Sequence, residues 1–218
     1  MQQGEITVWG AVSIRAFRVH WALHELGLSY QTEPIQSRTG ETLTEQYLRL
    51  NPRHKIPYLQ DGDVGISESA AIVQHLFRRY GQGANVYLPQ SEAEIARSDE
   101  WCYFVMTELD AHSLYLIRRH GHLPQIYGQA PEAVASAEAY CREQIEAMAH
   151  RISEADPYLF GDRIGAADIL LATCLDWADR YGIDLPDACA AYVDRAKSRP
   201  AYAAAEVSNA LPADRVGP

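Results

Sequence analysis

Along the first 80 residues the apolar positions alternate between short β-rich runs and helical spacing, and beyond Gly81 and Gly83 only the helical spacing persists. Ile6-Thr7-Val8-Trp9 reads as a strand ending at Gly10. From Ala16 the apolar residues Ala16, Val19, Leu23 and Leu26 recur at helical intervals until Gly27 supplies a C-terminal stop. Residues 30–35 predict a second strand, and 41–50 a second helix stopped by Asn51-Pro52. Residues 56–59 predict a third strand turned by Asp61-Gly62, with 64–66 pairing back as a hairpin. A third helix over Ser69–Tyr80 puts Ala70, Val73, Leu76 and Phe77 on one side. The predicted order is βαβαββα.

The remainder reads as a helix bundle, with helices near 91–121, 131–155, 167–181 and 187–198 and a last short one opened by Pro200. Residues 169–175 carry no charge, which predicts a central helix buried all round. Its start is legible in Gly165-Ala166-Ala167-Asp168. There an acid three residues after a glycine N-cap meets backbone N–H groups and the positive end of the helix dipole. The expected division is an α/β domain over 1–81, a linker over 82–90 and an all-helical domain over 91–218. The tail from Ala210 is expected to be loose.

Composition narrows the function classes. The chain has 218 residues, 47% apolar, with a formal net charge of −10, enough to bury a sizeable core. Cations and anions balance up to Tyr80, and the whole excess of acid falls in the second part. That distribution disfavours nucleic acid and anionic membrane, whose phosphates call for clustered cations. No apolar run approaches the ~20 residues of a membrane helix, and the N-terminus lacks the pattern of a secretory signal, so a soluble, cytoplasmic protein is expected. Cys102, Cys141, Cys174 and Cys189 show no clustering that would suit a metal or a dithiol, and read as small buried hydrophobes. His20 and His24 share a helix face with no third ligand in view, so no metal site is expected. Lys55 stands out as one of two lysines.

Three places carry candidate chemistry. Ile56-Pro57 begins a strand with a residue that forfeits a ladder hydrogen bond and whose preceding linkage takes the cis form at modest cost. In that form the backbone of Ile56 would be turned outward to pair with a short peptide. An ordinary trans proline at a sheet edge is the alternative. Ser67-Glu68-Ser69 opens the third helix, where backbone N–H groups and a hydroxyl suit a carboxylate and Glu68 suits an ammonium. The pair would hold an α-amino acid end, with Lys55 a nearby cation; simple capping by Ser67 or Ser69 is the plain alternative. Ser13 lies between the first strand and the first helix, where a hydroxyl and the helix dipole would stabilise an anion such as a thiolate, with Arg15 adding positive potential. It reads equally as an N-cap. No G-x-S-x-G, P-loop or G-x-G-x-x-G motif is present.

The order of these features resembles the cytosolic glutathione S-transferase family, in a serine-type, theta-like, bacterial form. The residues that carry it are Ser13 with Arg18-Val-His-Trp-Ala-Leu-His-Glu-Leu-Gly-Leu28, then Asn51-Pro-Arg-His-Lys-Ile-Pro-Tyr-Leu-Gln-Asp-Gly62, Glu68-Ser-Ala-Ala-Ile72 and Phe160-Gly-Asp-Arg-Ile-Gly-Ala-Ala-Asp-Ile169. The resemblance implies a thioredoxin-like N-terminal domain, an all-helical C-terminal domain and a homodimer. It also implies glutathione as co-substrate, lying along Ile56-Pro57 with its γ-glutamyl end at Glu68 and Ser69, Lys55 nearby, and its sulfur facing Ser13. The expected activity is detoxifying transfer of the glutathione thiolate to a small hydrophobic electrophile, with the helix of 91–121 as the far wall of the pocket and Met106, Thr107 and Asp110 as pocket residues. Glutathione-dependent reduction of disulfides or peroxides, and a non-catalytic glutathione-fold module, are the rivals. His54 stands where many members have Gly, and Gly165 where many have a Ser or Thr cap, a change costing only a few tenths of a kcal/mol.

Overall fold

A computed structural model describes residues 5–212 and 215. Its backbone falls into two units, one of residues 1–88 with 198–218 and one of 89–197.

The first unit is built on a four-stranded sheet in the order β2-β1-β3-β4, with β1 at Ile6–Trp9, β2 at Gln31–Glu33, β3 at Tyr58–Asp61 and β4 at Val64–Ser67. β1 runs parallel to β2 and antiparallel to β3, and β3 pairs antiparallel with β4. Val8 sits opposite Leu59, and Leu59 opposite Ile66, so a one-residue slip would turn Val8 and Leu59 out of the core. Helix α1 (Ile14–Glu25) and helix α3 (Ser69–Tyr80) contribute Val19, Leu23, Ile72, Val73, Leu76 and Phe77 to this core, all buried. Each such side chain stabilises by about 1.5–3 kcal/mol relative to exposure. Trp9, alternating out of Val8's face, meets Tyr47 of α2 (Glu45–Leu50) at 5.9 Å between ring centroids. The βαβαββα order is therefore present. The expected helix over 41–50 is split, because Thr44 is extended and its hydroxyl accepts from the Tyr47 N–H, starting a fresh helix after a single 3-10 turn at Glu41–Leu43.

The expected assignment of everything from 91 to 218 to the helical domain is corrected at its end. Helix α10 (Pro200–Ser208) belongs to the first unit, held along α1. Tyr202 packs edge-on against Phe17 and Trp21 at 4.8 and 5.0 Å, and Arg199 forks onto Glu25 with two bonds of 2.6 Å. Glu25 also accepts from the Trp21 indole. The tail, expected to be loose, is pinned at Arg215, which pairs with Glu41 and donates to the Pro34 carbonyl. Residues 213, 214 and 216–218 of that expectation lie outside the described residues.

The second unit is built of helices, with an isolated backbone bridge between Tyr158 and Gly161 among the described residues. In α8 (Ala166–Arg180) every residue from Ala166 to Ala178 is buried, as its uncharged run demands. Asp168 caps the start of α8 from within: its carboxylate accepts from the Gly165 and Leu159 N–H groups and the Tyr192 hydroxyl at 2.7, 2.9 and 2.5 Å. Burial still lifts its pKa to about 6. Helix α4 (Glu92–Phe104) opens with a capping box between Ser91 and Glu94. The single long helix expected over 91–121 is not uniform, because Val105–Leu114 is wound in π-helical turns before α5 (Tyr115–Ile117) and a second π stretch at Arg118–His122. Buried positions in the first stretch fall at 105, 109, 110, 113 and 114, a spacing slightly longer than an α-helix gives. A short α6 (Pro124–Tyr127), then α7 (Pro131–Ser153) and α9 (Asp187–Lys197) complete the unit. α6, α7 and α10 each start with proline at the position where its missing N–H costs nothing. All four cysteines are buried and unbridged. Among the described residues no helix is long and apolar enough to cross a membrane.

Candidate functional site

The first unit brings together the loop after β1, the turn before β3 and the start of α3. Gly10 leaves β1 at φ 131, and a Cβ there would stand 2.8 Å from the Ile56 Cβ. Only glycine permits this approach, and it seats the Ser13 loop against Ile56. Two residues on, Val12 holds φ 51, a conformation that costs a β-branched residue energy. Ser13 then caps α1: extended at φ −146 and ψ 144, half-buried, its Oγ accepts the Ala16 N–H at 3.0 Å. That bond uses one lone pair and leaves the hydroxyl proton available for donation. Arg15, in the first turn of α1, is half-buried.

Lys55, Ile56 and Pro57 form the approach to β3. The Lys55 carbonyl accepts from the Tyr47 hydroxyl at 2.5 Å and the buried Asn51 amide at 2.8 Å, which fixes the turn from inside while the Lys55 side chain is exposed. His54 lies at φ 45 within that turn. The Ile56–Pro57 bond is cis, the form singled out from sequence; a second cis bond, Asp156–Pro157, was not anticipated.

At the start of α3, Glu68 adopts φ 72 and ψ 113 and has no side-chain cap bond. This is a strained backbone for a residue with a Cβ, of the kind that persists where the surroundings over-determine it. The Ser69 hydroxyl accepts from the Arg18 guanidinium at 3.3 Å, and both residues are buried. The arginine adds a cation to the positive end of the α3 dipole, so this helix start favours an anion more than sequence alone indicates. Ser69 itself is 1% exposed, and the hydroxyl proton is its remaining donor. Arg53 crosses from the neighbouring turn to donate to the Ser67 hydroxyl and pair with Glu68, both at 2.8 Å. Sequence reasoning missed Arg18 and Arg53. Arg18 announces itself only as a charge between the apolar Phe17 and Val19, and Arg53 carries no local signal.

His20 and His24, read from sequence only as a pair without a third ligand, belong to a hydrogen-bonded chain. His20 lies 3.2 Å from the Gly10 carbonyl through Nε2 and 3.0 Å from the Tyr30 hydroxyl through Nδ1, and His24 joins Tyr30 and Ser208. Burial lowers the His20 pKa to about 4, so the ring is neutral near pH 7 and can donate one ring N–H to Gly10 while accepting from Tyr30. In the second unit the expected pocket residues differ in setting. Met106 is half-buried, Thr107 is exposed with its hydroxyl on the Tyr103 carbonyl at 2.7 Å, and Asp110 is buried.

Comparison with known proteins places these features in a lineage. Residues 4–78 match the family model of the glutathione S-transferase N-terminal domain and residues 131–195 that of the C-terminal domain. Maleylacetoacetate isomerase of Pseudomonas aeruginosa is 31% identical over 210 residues, covering 90% of this chain and 93% of its own. Glutathione S-transferase theta-1 of Bos taurus is 28% identical over 67% of this chain; the match spans 61% of that relative's length, so this chain covers under two thirds of it. The theta class glutathione S-transferase of Xanthomonas axonopodis pv. citri, solved with glutathione bound, superimposes with a TM-score of 0.72 at 26% identity, over 91% of this chain and 95% of that one. With both halves of the fold matched and a relative this similar along nearly its whole length, the chain belongs to the cytosolic glutathione S-transferase family.

Proposed function

We propose that this chain is a glutathione transferase in which the Ser13 hydroxyl donates to the glutathione sulfur and holds it as a thiolate. One observation carries the reading: Ser13 Oγ accepts the Ala16 N–H through one lone pair, which leaves its hydroxyl proton for donation. The magnitudes are adequate. A free thiol titrates near pKa ~8.5, and bringing it to neutrality requires about 2 kcal/mol. A hydrogen bond to a charged group supplies about 1.5–3 kcal/mol and a helix N-terminus about 0.3–1 kcal/mol.

In this reading the tripeptide lies along Ile56 and Pro57, its γ-glutamyl carboxylate meets the start of α3 at Ser69, above the Arg18 guanidinium, and its ammonium meets Glu68. Lys55 and Arg15 add positive potential. The thiolate then attacks an electrophilic carbon of a small apolar substrate, the new C–S bond forming as the leaving group departs with its electron pair. A cytoplasmic homodimer is the proposed working form. The decisive experiment is Ser13→Ala, assayed with a chloro-aromatic electrophile. Turnover should fall by about tenfold or more while glutathione affinity stays within about twofold; unchanged turnover would remove Ser13 from the chemistry.

A second reading rests on the isomerase relative, which at 31% identity spans 90% of this chain and 93% of its own length. There the same thiolate would add to maleylacetoacetate, allow rotation about the former double bond and leave again, regenerating glutathione. Assaying maleylacetoacetate beside the chloro-aromatic compound separates isomerisation from conjugation.

A further inference from the structure

The first unit is completed by a segment far away in sequence. Asn209 follows the last turn of α10, and the two consecutive N–H groups that lead into α1 both point to it. Val12 donates to its backbone carbonyl at 2.8 Å and Ser13 to its side-chain Oδ1 at 3.5 Å. Asn209 is itself fixed, its N–H on the Ala205 carbonyl at 2.9 Å and its neighbour Ser208 on His24 at 2.8 Å. Behind it, α10 is clamped to α1 by the Arg199–Glu25 fork and by Tyr202 between Phe17 and Trp21. The held loop needs holding, because Val12 is β-branched at φ 51 and half exposed, so neither its own conformation nor burial fixes it.

We infer that Asn209 is a positioning residue for the Ser13 hydroxyl, the end of α10 serving as a clamp that fixes the serine from behind while its Oγ faces the sulfur. The inference rests on the proposed role of Ser13 and deepens it. Three attachments define that serine: its N–H to Asn209, its Oγ to the Ala16 N–H and its carbonyl to the Phe17 N–H. The second and third belong to the α1 cap and survive any change in α10. The first sets how the cap is rotated about the loop, and so where the remaining hydroxyl proton points. A shift of about 1 Å there is enough to weaken a charge-assisted bond to sulfur.

The test is a double-mutant cycle in the full chain, read as the pKa of bound glutathione by ultraviolet difference absorbance and as kcat and KM. Asn209→Ala should raise the bound thiol's pKa by about half a unit or more and lower kcat about threefold or more, with KM for glutathione within about twofold. In the Ser13→Ala background it should change neither quantity further. Asn209→Gln, which keeps the amide but displaces its carbonyl, should show the same thiol shift with an unchanged melting temperature, and carries the test if the alanine variant folds poorly. If Ser13→Ala raises the thiol pKa and Asn209→Ala and Asn209→Gln leave it in place, the positioning role fails and the Ser13 mechanism stands. Equal effects of Asn209→Ala with and without the serine would also overturn the positioning role, marking a structural contact only. If Ser13→Ala itself leaves the thiol unchanged, the mechanism fails and the inference with it.

Discussion

Each unit of this chain buries one titratable group beside the glycine that precedes a helix, and the two respond to acid in opposite directions. In the first unit His20 reaches the Gly10 carbonyl and burial lowers its pKa to about 4. In the second, Asp168 receives the Gly165 N–H and burial raises its pKa to about 6. Desolvation favours the uncharged form in both, and that form is deprotonated for the imidazole and protonated for the carboxyl. The stability that His20 contributes is present above its unfolded pKa of 6.5 and is lost as pH falls toward 4. That of Asp168 is present below 3.8 and is lost as pH rises through about 6. Between pH 4 and 6 the two contributions therefore run against each other, one in each unit. Burial of a polar group has no fixed sign on a pH axis; the charge of its protonated form decides.

The strongest way to test the contrast is to remove the carboxylate outright. Asp168→Ala strands two backbone N–H groups and the Tyr192 hydroxyl, and should cost on the order of 3–5 kcal/mol in denaturant unfolding. A loss below about 1 kcal/mol would show that the α8 start does not depend on its internal cap. The pH dependence comes next. Stability followed from pH 4 to 6.5 should carry two opposing changes, one from each group and each of about 3 kcal/mol in total. His20→Gln should remove the part that weakens the fold in acid, and Asp168→Asn the part that weakens it as pH rises. A His20→Gln profile parallel to that of the parent chain would mean that the ring is not held neutral. The smallest expected effect concerns the other polar pair buried in the first unit. Ser69→Ala takes away one acceptor of Arg18 and the proposed glutathione contact, and should weaken glutathione binding by about 1–3 kcal/mol while lowering stability by about 1 kcal/mol. Calorimetry showing unchanged affinity together with the stability loss would make Ser69 a support for Arg18 alone.

Which parts were legible in the sequence follows from the range of the interactions concerned. Ser69–Tyr80 and Ile6–Trp9 emerge with the bounds their patterns predict, because capping, periodicity and strand alternation are local. β2 is shorter than predicted, reduced to Gln31–Glu33, with Gln31 and Glu33 exposed at the sheet edge, so no burial pattern marked its ends. The attachment of α10 to the first unit was invisible, since Arg199 and Glu25 are 174 residues apart and each alone reads as a surface charge. The π-helical winding at 105–114 was hidden by a period that a count at 3.6 absorbs as noise. At the candidate site, Ser13, Ile56-Pro57 and Glu68-Ser69 stand out as candidates because each sits at the end of a strand or helix, where sequence is most informative. Arg18 and Arg53 were missed because their partners, Ser69 and Glu68, come from other elements.

The four cysteines take on a meaning that their packing alone does not suggest. All are buried, and burial pushes Cys141 and Cys189 up to about 11, far from the thiolate form at neutral pH. A protein proposed to gather thiol-seeking compounds beside an activated sulfur exposes its own sulfurs to the same reagents with every turnover. Under that proposal, burying all four and holding Cys141 and Cys189 protonated would leave the guest tripeptide as the preferred target and spare the protein's own sulfurs from alkylation.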